Sequence, residues 1–220
     1  RRADANSVLS SLWRYYTGEA DSPRYTSYKP LRAFFGGWDM SRKWGYLTTG
    51  NSRDRLVSVV SVEMFPSESW LSMMSTLLCI PIPMTVAMNV TPVSMGDAKS
   101  FIRKSLRRYE SLLCKIDPES VERCRELSEV LRTLDSSNNL LFDVEMFFVF
   151  EGSSLSELDY RRNMLLSEAR GRDFTVNQEK AALELTFRAA SPGFCRTGTT
   201  DREIRIKTEN VVDFAPVLGP

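Results

Sequence analysis

The sequence predicts an α+β fold: a mixed β-sheet packed with helices, which include a long antiparallel helical hairpin. The segment LLFDVEMFFVFEG alternates apolar and polar side chains with the two-residue period of a strand. A second segment, at 56–65, places apolar residues on both of its faces, as is typical of a covered central strand. Between 97 and 134, two stretches repeat apolar residues at helical steps of four and three.

The N-terminal quarter predicts one helix, an arm and a pair of strands. Residues 6–17 form the helix, with Asn6 or Ser7 as its cap, and the polar stretch that follows predicts a loop. A turn at Gly50 and Asn51 is expected to join two strands, of which the second is the segment 56–65. Ser67 is then expected to cap a short helix.

The region from Ser69 to Gly96 holds 28 residues without a charge, which exceeds the length needed to cross a bilayer. Pro81, Pro83 and Pro92 interrupt it, and its period changes from helical to alternating at Met84. A short helix, a proline stop and a strand therefore explain this region better than a transmembrane segment.

The helical hairpin is predicted from two matched apolar seams. The first carries Ile102, Leu106, Tyr109, Leu113 and Ile116; the second carries Cys124, Leu127, Leu131 and Leu134. Pro118 suits the first position of the second helix, because its missing N–H would have no partner there anyway.

The rest of the chain predicts a strand, a helix and two short strands. Asp143 and Glu145 share one face of the strand at 142–150, and a solvated face explains them better than a catalytic carboxylate pair. A helix is expected from Ser153 or Ser154 to Gly171, then short strands at 174–176 and around Ile204 and Ile206. The stretch at 178–193 is ambiguous.

The net charge of the chain excludes few classes of partner, whereas its lack of histidine argues against many kinds of catalytic and metal site. The net charge of +1 argues neither for nor against nucleic acid, and the absence of histidine removes the commonest general base and metal ligand. The cysteines lack metal-site spacing and are interpreted as buried free thiols of a reducing compartment: Cys79, Cys114, Cys124 and Cys195.

No phosphate-binding loop, nucleophile elbow or zinc motif is present in the sequence. We therefore expect no enzymatic activity, no cofactor and no metal in these 220 residues.

The first candidate interaction surface is basic. Arg103, Lys104, Arg107 and Arg108 lie within six residues, opposite the apolar seam of their helix. They could grip phosphates, anionic lipid headgroups or an acidic partner. The alternative is a solvated face paired with acidic residues of the neighbouring helix: Glu119, Glu122, Glu126 and Glu129.

The second candidate surface is aromatic. Trp13 and Tyr16 open a stretch of ten aromatic side chains interleaved with basic residues, which suits a protein-binding or interfacial arm. Ordinary packing in the core explains the same residues equally well.

Several strings, in order, resemble the N-terminal domain of the conjugation and type IV secretion ATPases (the TrbE/CagE/TraC group). They are RLVSVVSVEMFPSESWLSMMSTLLCIPIPMTVAMNVTPVS, the helical hairpin, LFDVEMFFVFEGSSLSELDYRRNMLLSEARGRDF and, at the end, TENVVDFAPVLGP. The resemblance covers about residues 55–220; residues 1–50 match no family pattern.

The resemblance implies a docking and oligomerisation module on the cytoplasmic side of the bacterial inner membrane, peripheral to it. Its implied partners are inner-membrane components of the secretion channel and further copies of itself. ATP and magnesium are implied only for a RecA-like motor that would follow in the chain, and the membrane surface is a further implied contact.

The expected organisation has three parts: an N-terminal helix and aromatic arm at 1–50, an α+β domain at 51–207, and a linker at 208–220 that leads to the motor. Because the chain starts at Arg1 without methionine, we interpret it as a piece of a longer protein. The alternative function is nucleic-acid binding by the helix that carries Arg103 and Arg108.

Overall fold

The structure is a computed structural model that describes residues 4–20, 22, 40–49, 55–71, 73–112, 118–136, 140–193, 198 and 200–215. The described residues form seven helices and seven strands. In chain order these are α1 (Ala5–Thr17), β1 (Met40–Lys43), β2 (Tyr46–Thr49), β3 (Leu56–Met64), α2 (Met73–Leu78), β4 (Met84–Pro92), α3 (Met95–Leu112), α4 (Pro118–Ser136), β5 (Leu141–Gly152), α5 (Leu155–Arg170), β6 (Thr175–Gln178), α6 (Leu183–Ala189), β7 (Ile204–Lys207) and α7 (Thr208–Phe214).

The strands build one sheet in the order β1-β2-β3-β5-β4, with β6 beside β3 and β7 beside β5. The predicted α+β class is therefore confirmed, but the expectation of a mixed sheet is wrong, because every pairing among the described strands is antiparallel. Within the described residues, the helical connections β3–α2–β4 and β5–α5–β6 join parallel strands that are not neighbours, because one antiparallel strand lies between them.

Strands β3 and β5 form the centre of the sheet and are buried on both faces, as the apolar pattern of β3 predicted. One face carries Val60, Val62, Met146 and Phe148 into a core shared with α2, α5 and α7. The other carries Val57, Val59, Phe147 and Val149 into a second core, which α6 covers together with two tyrosines of α1. The molecule thus has helices on both faces of one antiparallel sheet.

The predicted helical hairpin is present as α3 and α4, which share a third core. Ala98, Ile102 and Leu106 of α3 pack there with Leu134 of α4, partly covered by Cys124, Leu127 and Leu131. Ser94 caps α3, since its hydroxyl accepts the backbone N–H of Asp97 at 3.2 Å. Pro118 is the first residue of α4, as predicted, and the turn between the helices lies outside the described residues.

Three smaller predictions need correction. Helix α1 begins one residue early, so its N-cap is Asp4 instead of Asn6 or Ser7. The short helix α2 begins at Met73, well beyond the expected Ser67 cap. Strand β1, which pairs with β2 around Gly45, was not predicted because its sequence MSRK has no apolar alternation. The expected turn at Gly50 and Asn51 lies outside the described residues.

The segment expected to be a linker is helical in its first half. Residues Thr208–Phe214 form α7, and the Phe214 side chain is buried in the first core, stacked on Phe65 with ring centroids 4.4 Å apart. The remaining residues of that segment, 216–220, lie outside the described residues. The α+β unit therefore extends at least to Phe214, beyond the expected boundary at 207.

Candidate functional site

The basic residues predicted as a surface lie on the solvent side of α3. Arg103, Lys104, Arg107 and Arg108 are all exposed, while Ile102 and Leu106 face the core of the hairpin. The four-three apolar stepping of this helix fixes the arrangement, since it turns the intervening positions outward. The structure thus brings the four predicted cations onto one exposed helical surface, which we call the basic face of α3.

The alternative interpretation, in which acidic residues of α4 partner the basic face, stays a prediction. Within the part of the chain that the structure describes, Arg103, Lys104 and Arg107 form no ion pair, whereas Arg108 does have an interaction. On α4, Glu126 pairs with Arg123 of its own helix at 2.8 Å. Three cations therefore remain available to an anionic partner.

Trp13 and Tyr16, predicted as part of an aromatic interaction surface, are buried and half-buried, respectively. Trp13 is 7% exposed and donates its indole N–H to Glu19 at 3.1 Å. Tyr16 is half-buried and meets Phe187 of α6 edge to face at 5.7 Å. This arrangement agrees with the alternative interpretation of the two residues, which was ordinary packing. The aromatic residues between 23 and 39 lie outside the described residues.

Arg55, which the sequence did not single out, anchors α1 to the end of the sheet. Its guanidinium donates to the carbonyl oxygens of Tyr15 and Tyr16 at 2.9 and 3.0 Å, in the last turn of α1. It also forms a two-pronged pair with Glu151 at the end of β5 and donates to the Thr49 hydroxyl. A cation at the carbonyl end of a helix is favoured by the helix dipole. No sequence motif announces this role, since Arg55 sits in an ordinary polar stretch before a strand.

Tyr15 joins α1 to α6. Its ring stacks on Phe187 at 4.8 Å, and its hydroxyl donates to the Phe187 carbonyl at 2.8 Å. Burial raises the pKa of the Tyr15 hydroxyl far above its ordinary value, and neighbouring Tyr16 raises it further. This tyrosine therefore stays protonated and serves as a donor instead of a base.

The sheet face predicted to be solvated is covered. Glu145 is fully buried, and its carboxylate accepts from the Thr200 hydroxyl at 2.5 Å and the Asn89 amide at 3.3 Å. Asp143 forms a two-pronged pair with Arg205 at 2.8 and 2.9 Å. The interpretation of Asp143 and Glu145 as a wet strand face is therefore wrong, because the returning residues 200–205 lie over it.

A second buried carboxylate extends this polar zone. Glu179, 2% exposed, accepts from the Ser61 hydroxyl at 2.5 Å and from Arg202 at 2.8 Å. Arg202 also approaches Glu63 at 3.4 Å, and its hydrogen bond to Glu179 raises the pKa of its guanidinium. Each carboxylate is satisfied by donors of this chain, so the arrangement fastens the 200–205 segment to the sheet. It assembles neither a nucleophile nor a base aimed at a substrate.

Clefts also open on the surface of the described residues. One of about 530 Å³ lies between α1 and the ends of β4 and β5, lined by Arg14, Thr85 and Arg161 among others. Another, of about 440 Å³, adjoins Glu179 and Arg202 and is bordered by the exposed Trp44. In the described chain, no group of three or more potential ligands is placed to hold a metal ion.

Large apolar side chains are exposed in or beside the β3–α2 connection and on α7, and we refer to Met64, Trp70, Leu71 and Val212 together as the apolar surface. They are exposed by 61, 53, 63 and 52%, respectively. The first three lie in or beside the segment that connects β3 to α2, and Val212 lies on α7. Ser69 ties the two segments together, since it donates to Asp213 at 2.7 Å and accepts from Asn210 at 2.8 Å.

Two of the four cysteines lie within the described residues. Cys79 is exposed, which contradicts its assignment as a buried thiol, and Cys124 is half-buried; both are free. In the described part of the chain, no helix has the length and apolarity needed to span a membrane.

Comparisons of the sequence with protein-family models and with curated proteins give no match.

Proposed function

We propose that this chain is a non-catalytic docking and self-association module of a type IV secretion or conjugative transfer ATPase. In this proposal it couples an ATP-driven motor, which follows it in the parent chain and binds ATP and magnesium, to inner-membrane components of the channel. It would act on the cytoplasmic side of the bacterial inner membrane. The observation that carries the proposal is the apolar surface beside α7.

The apolar surface has the character of a protein contact because its side chains are large and exposed, and because neighbouring residues tie its two segments together. Trp70 and Leu71 follow Ser69, which is hydrogen-bonded to α7, and Phe65 at the start of the segment is stacked on Phe214. Exposed, clustered aromatic and aliphatic side chains are typical of protein interaction sites. In the family that the chain resembles, the segment of α7 lies just before the motor, so a partner bound here would be placed beside it.

The proposal is tested first by the parent coding sequence. A phosphate-binding motif GxxxxGK[ST] within the domain that follows Pro220 supports the motor, and a parent chain without one would overturn it.

The docking role is tested by binding of the purified chain to solubilised inner-membrane components of a conjugation channel. Trp70→Ser should weaken that binding by tenfold or more, as expected for an interface anchor. Trp44→Ser is the matched control, because Trp44 is also an exposed tryptophan but lies at the distant β1–β2 turn. Equal effects of the two substitutions would contradict a specific apolar docking site.

The basic face of α3 favours a second candidate, nucleic-acid binding, because Arg103, Lys104 and Arg107 lack ion pairs within the described residues. Duplex DNA affinity should then fall with salt, and replacing these three residues by glutamine should reduce the logarithmic salt slope by about three. The charge-matched control replaces Arg14, Arg125 and Arg170, which are exposed elsewhere. A flat salt dependence would exclude phosphate contacts by this face.

A further inference from the structure

The two edges of the sheet differ in how they are protected against pairing. Strand β1, at one edge, has only four residues, of which Arg42 and Lys43 are charged and exposed. Strand β4, at the other edge, has nine residues and no charge. Short length and charge are the devices by which edge strands avoid adding another chain. The described structure has them at β1 and lacks them at β4.

The geometry of β4 is that of an open, regular edge. Its pairing with β5 runs without a bulge from Met84, opposite Phe150, to Pro92, opposite Phe142. Among the described elements, only β5 packs extensively against it, and no residue of β4 is buried. In the described residues its outward backbone groups form no backbone hydrogen bond, because the bonds of β4 run to β5. Such a row of N–H and C=O groups is a template for a further strand.

We propose that a second copy of this chain pairs with β4, antiparallel to it, so that the two sheets join across a two-fold axis. An antiparallel pair about a two-fold axis brings the side chains of a strand opposite or diagonal to those of its copy, so a strand with charges of one sign meets repulsion when it pairs with itself. Strand β4 meets no such repulsion, since no residue between Ser69 and Gly96 is charged. Strand β1 carries two cations among its four residues. The absence of charge permits β4 to pair with its own copy, and the side chains that would then face each other across the join are matched.

The side-chain pattern of β4 is compatible with its own copy. Its apolar residues Met84, Val86 and Met88 lie on the face of the first core, which they only partly cover, and Val90 continues that row with 40% exposure. A pair centred on Met88 places Val86 opposite Val90 of the second copy, and Thr85 opposite Thr91. Each apolar row then continues across the join. Pro83 and Pro92 limit the length of the pairing to the eight residues between them, because proline has no N–H to donate.

The inference deepens the self-association part of the proposed function, although it rests on the geometry of β4 and not on the apolar surface or the motor. Loss of self-association would leave the docking of channel components through Trp70 intact. The two proposals can therefore fail separately.

The test is a charge-swap experiment on the complete 220-residue chain. Sedimentation equilibrium should show a concentration-dependent dimer of the unmodified chain. Lysine at both positions 85 and 91 (Thr85→Lys, Thr91→Lys) should raise the dissociation constant by roughly tenfold or more, because like charges then face each other twice. The glutamate pair (Thr85→Glu, Thr91→Glu) should do the same. Mixing the two variants should restore a heterodimer.

The control is Ser41→Lys, which adds a charge to the opposite edge and should leave the dimer unchanged. Hydrogen exchange should show slower exchange of outward β4 amides in the dimer than in the monomer. A chain that stays monomeric at all concentrations would overturn the proposal. Pairing of β4 with a strand of a different protein, in place of a second copy, would overturn it too. A dimer that both charge variants retain would place the interface elsewhere and overturn it as well.

Discussion

At the scale of single residues, side chains remote in sequence fix the position of α1. Arg55 is nearly buried at 10% side-chain exposure, and it joins the last turn of α1, β2 and β5 through one guanidinium. Several ion pairs among the described residues, in contrast, join partly or largely exposed side chains three or four positions apart, within a helix or at the end of α5. Exposed pairs of that kind contribute little to stability.

Replacing Arg55 with alanine should lower the free energy of unfolding by about 2–3 kcal/mol, because several carbonyl and carboxylate acceptors lose their donor at a half-buried site. Urea denaturation measures it. The control, Arg123→Ala, removes an exposed pair on α4 and should change stability by less than about 0.5 kcal/mol. Equal losses in the two variants would show that Arg55 is not an anchor.

Glu157 makes the start of α5 sensitive to acid. Its carboxylate accepts from the backbone N–H and hydroxyl of Ser153, each at 2.8 Å, while Ser154 caps the helix. These hydrogen bonds, with the nearby Arg161, hold the pKa of Glu157 below its ordinary value. A carboxyl whose pKa is lower in the folded state stabilises the fold above the unfolded pKa, and that stabilisation is lost as pH falls through the folded pKa.

Glu157→Gln should therefore be less stable than the unmodified chain at neutral pH, and the difference should shrink below about pH 4. Chemical denaturation at a series of pH values follows it. A difference that stays constant across that series would rule out ionisation of Glu157 as its source.

At the scale of elements, neighbours decide what short segments become. The seven residues of α7 are too few to establish a helical period, so TENVVDF was interpreted as a linker. What stabilises it is tertiary: Phe214 inserts among Phe65 and Phe174, and Asn210 and Asp213 hold Ser69. The two hydrogen bonds with Ser69 join residues 144 and 141 positions apart, which no local pattern contains.

Phe214→Ala should destabilise the chain by about 3–5 kcal/mol, because a fully buried aromatic ring is lost from the first core. Val212→Ala, two residues away and 52% exposed, should change the free energy of unfolding by less than about 0.5 kcal/mol. Thermal or urea unfolding compares the two. If Phe214→Ala were as mild as its control, α7 would have to be a detached segment.

Strand β5 also shows that a local sequence pattern cannot predict which distant residues will contact it. Alternation correctly placed Phe148 and Phe150 on one face and Phe147 and Val149 on the other. It also assigned Glu145 to solvent, since a carboxylate in a strand is usually wet. Thr200 and Asn89 reverse that assignment by supplying hydrogen bonds, and nothing in the strand itself signals their approach.

At the scale of the whole molecule, the sheet separates two cores that share no side chain. Arg55 holds α1 over one face, and Phe214 is buried on the other. The long, strongly periodic elements that build this architecture were predictable, as were the exposed positions of the basic face. Strand pairing, the order of the sheet and the open edge at β4 were not, because they depend on which distant strands meet.

This separation predicts independent energetics. Arg55→Gln and Phe214→Leu, chosen to be milder than the alanine changes, should lower the free energy of unfolding additively to within about 0.5 kcal/mol. Equilibrium denaturation of both single variants and the double variant completes the cycle. A larger coupling would mean that strain passes through β3 and β5 from one core to the other.

The late position of β5 in the sequence also affects folding during translation. Strand β3 is apolar on both faces, yet its partner in the centre of the sheet is synthesised about 90 residues later. At usual translation rates that delay is roughly 5–20 seconds. During it, the segment at 56–62 emerges from the ribosome without the strand that will cover it, so this stretch is where a chaperone would be needed first.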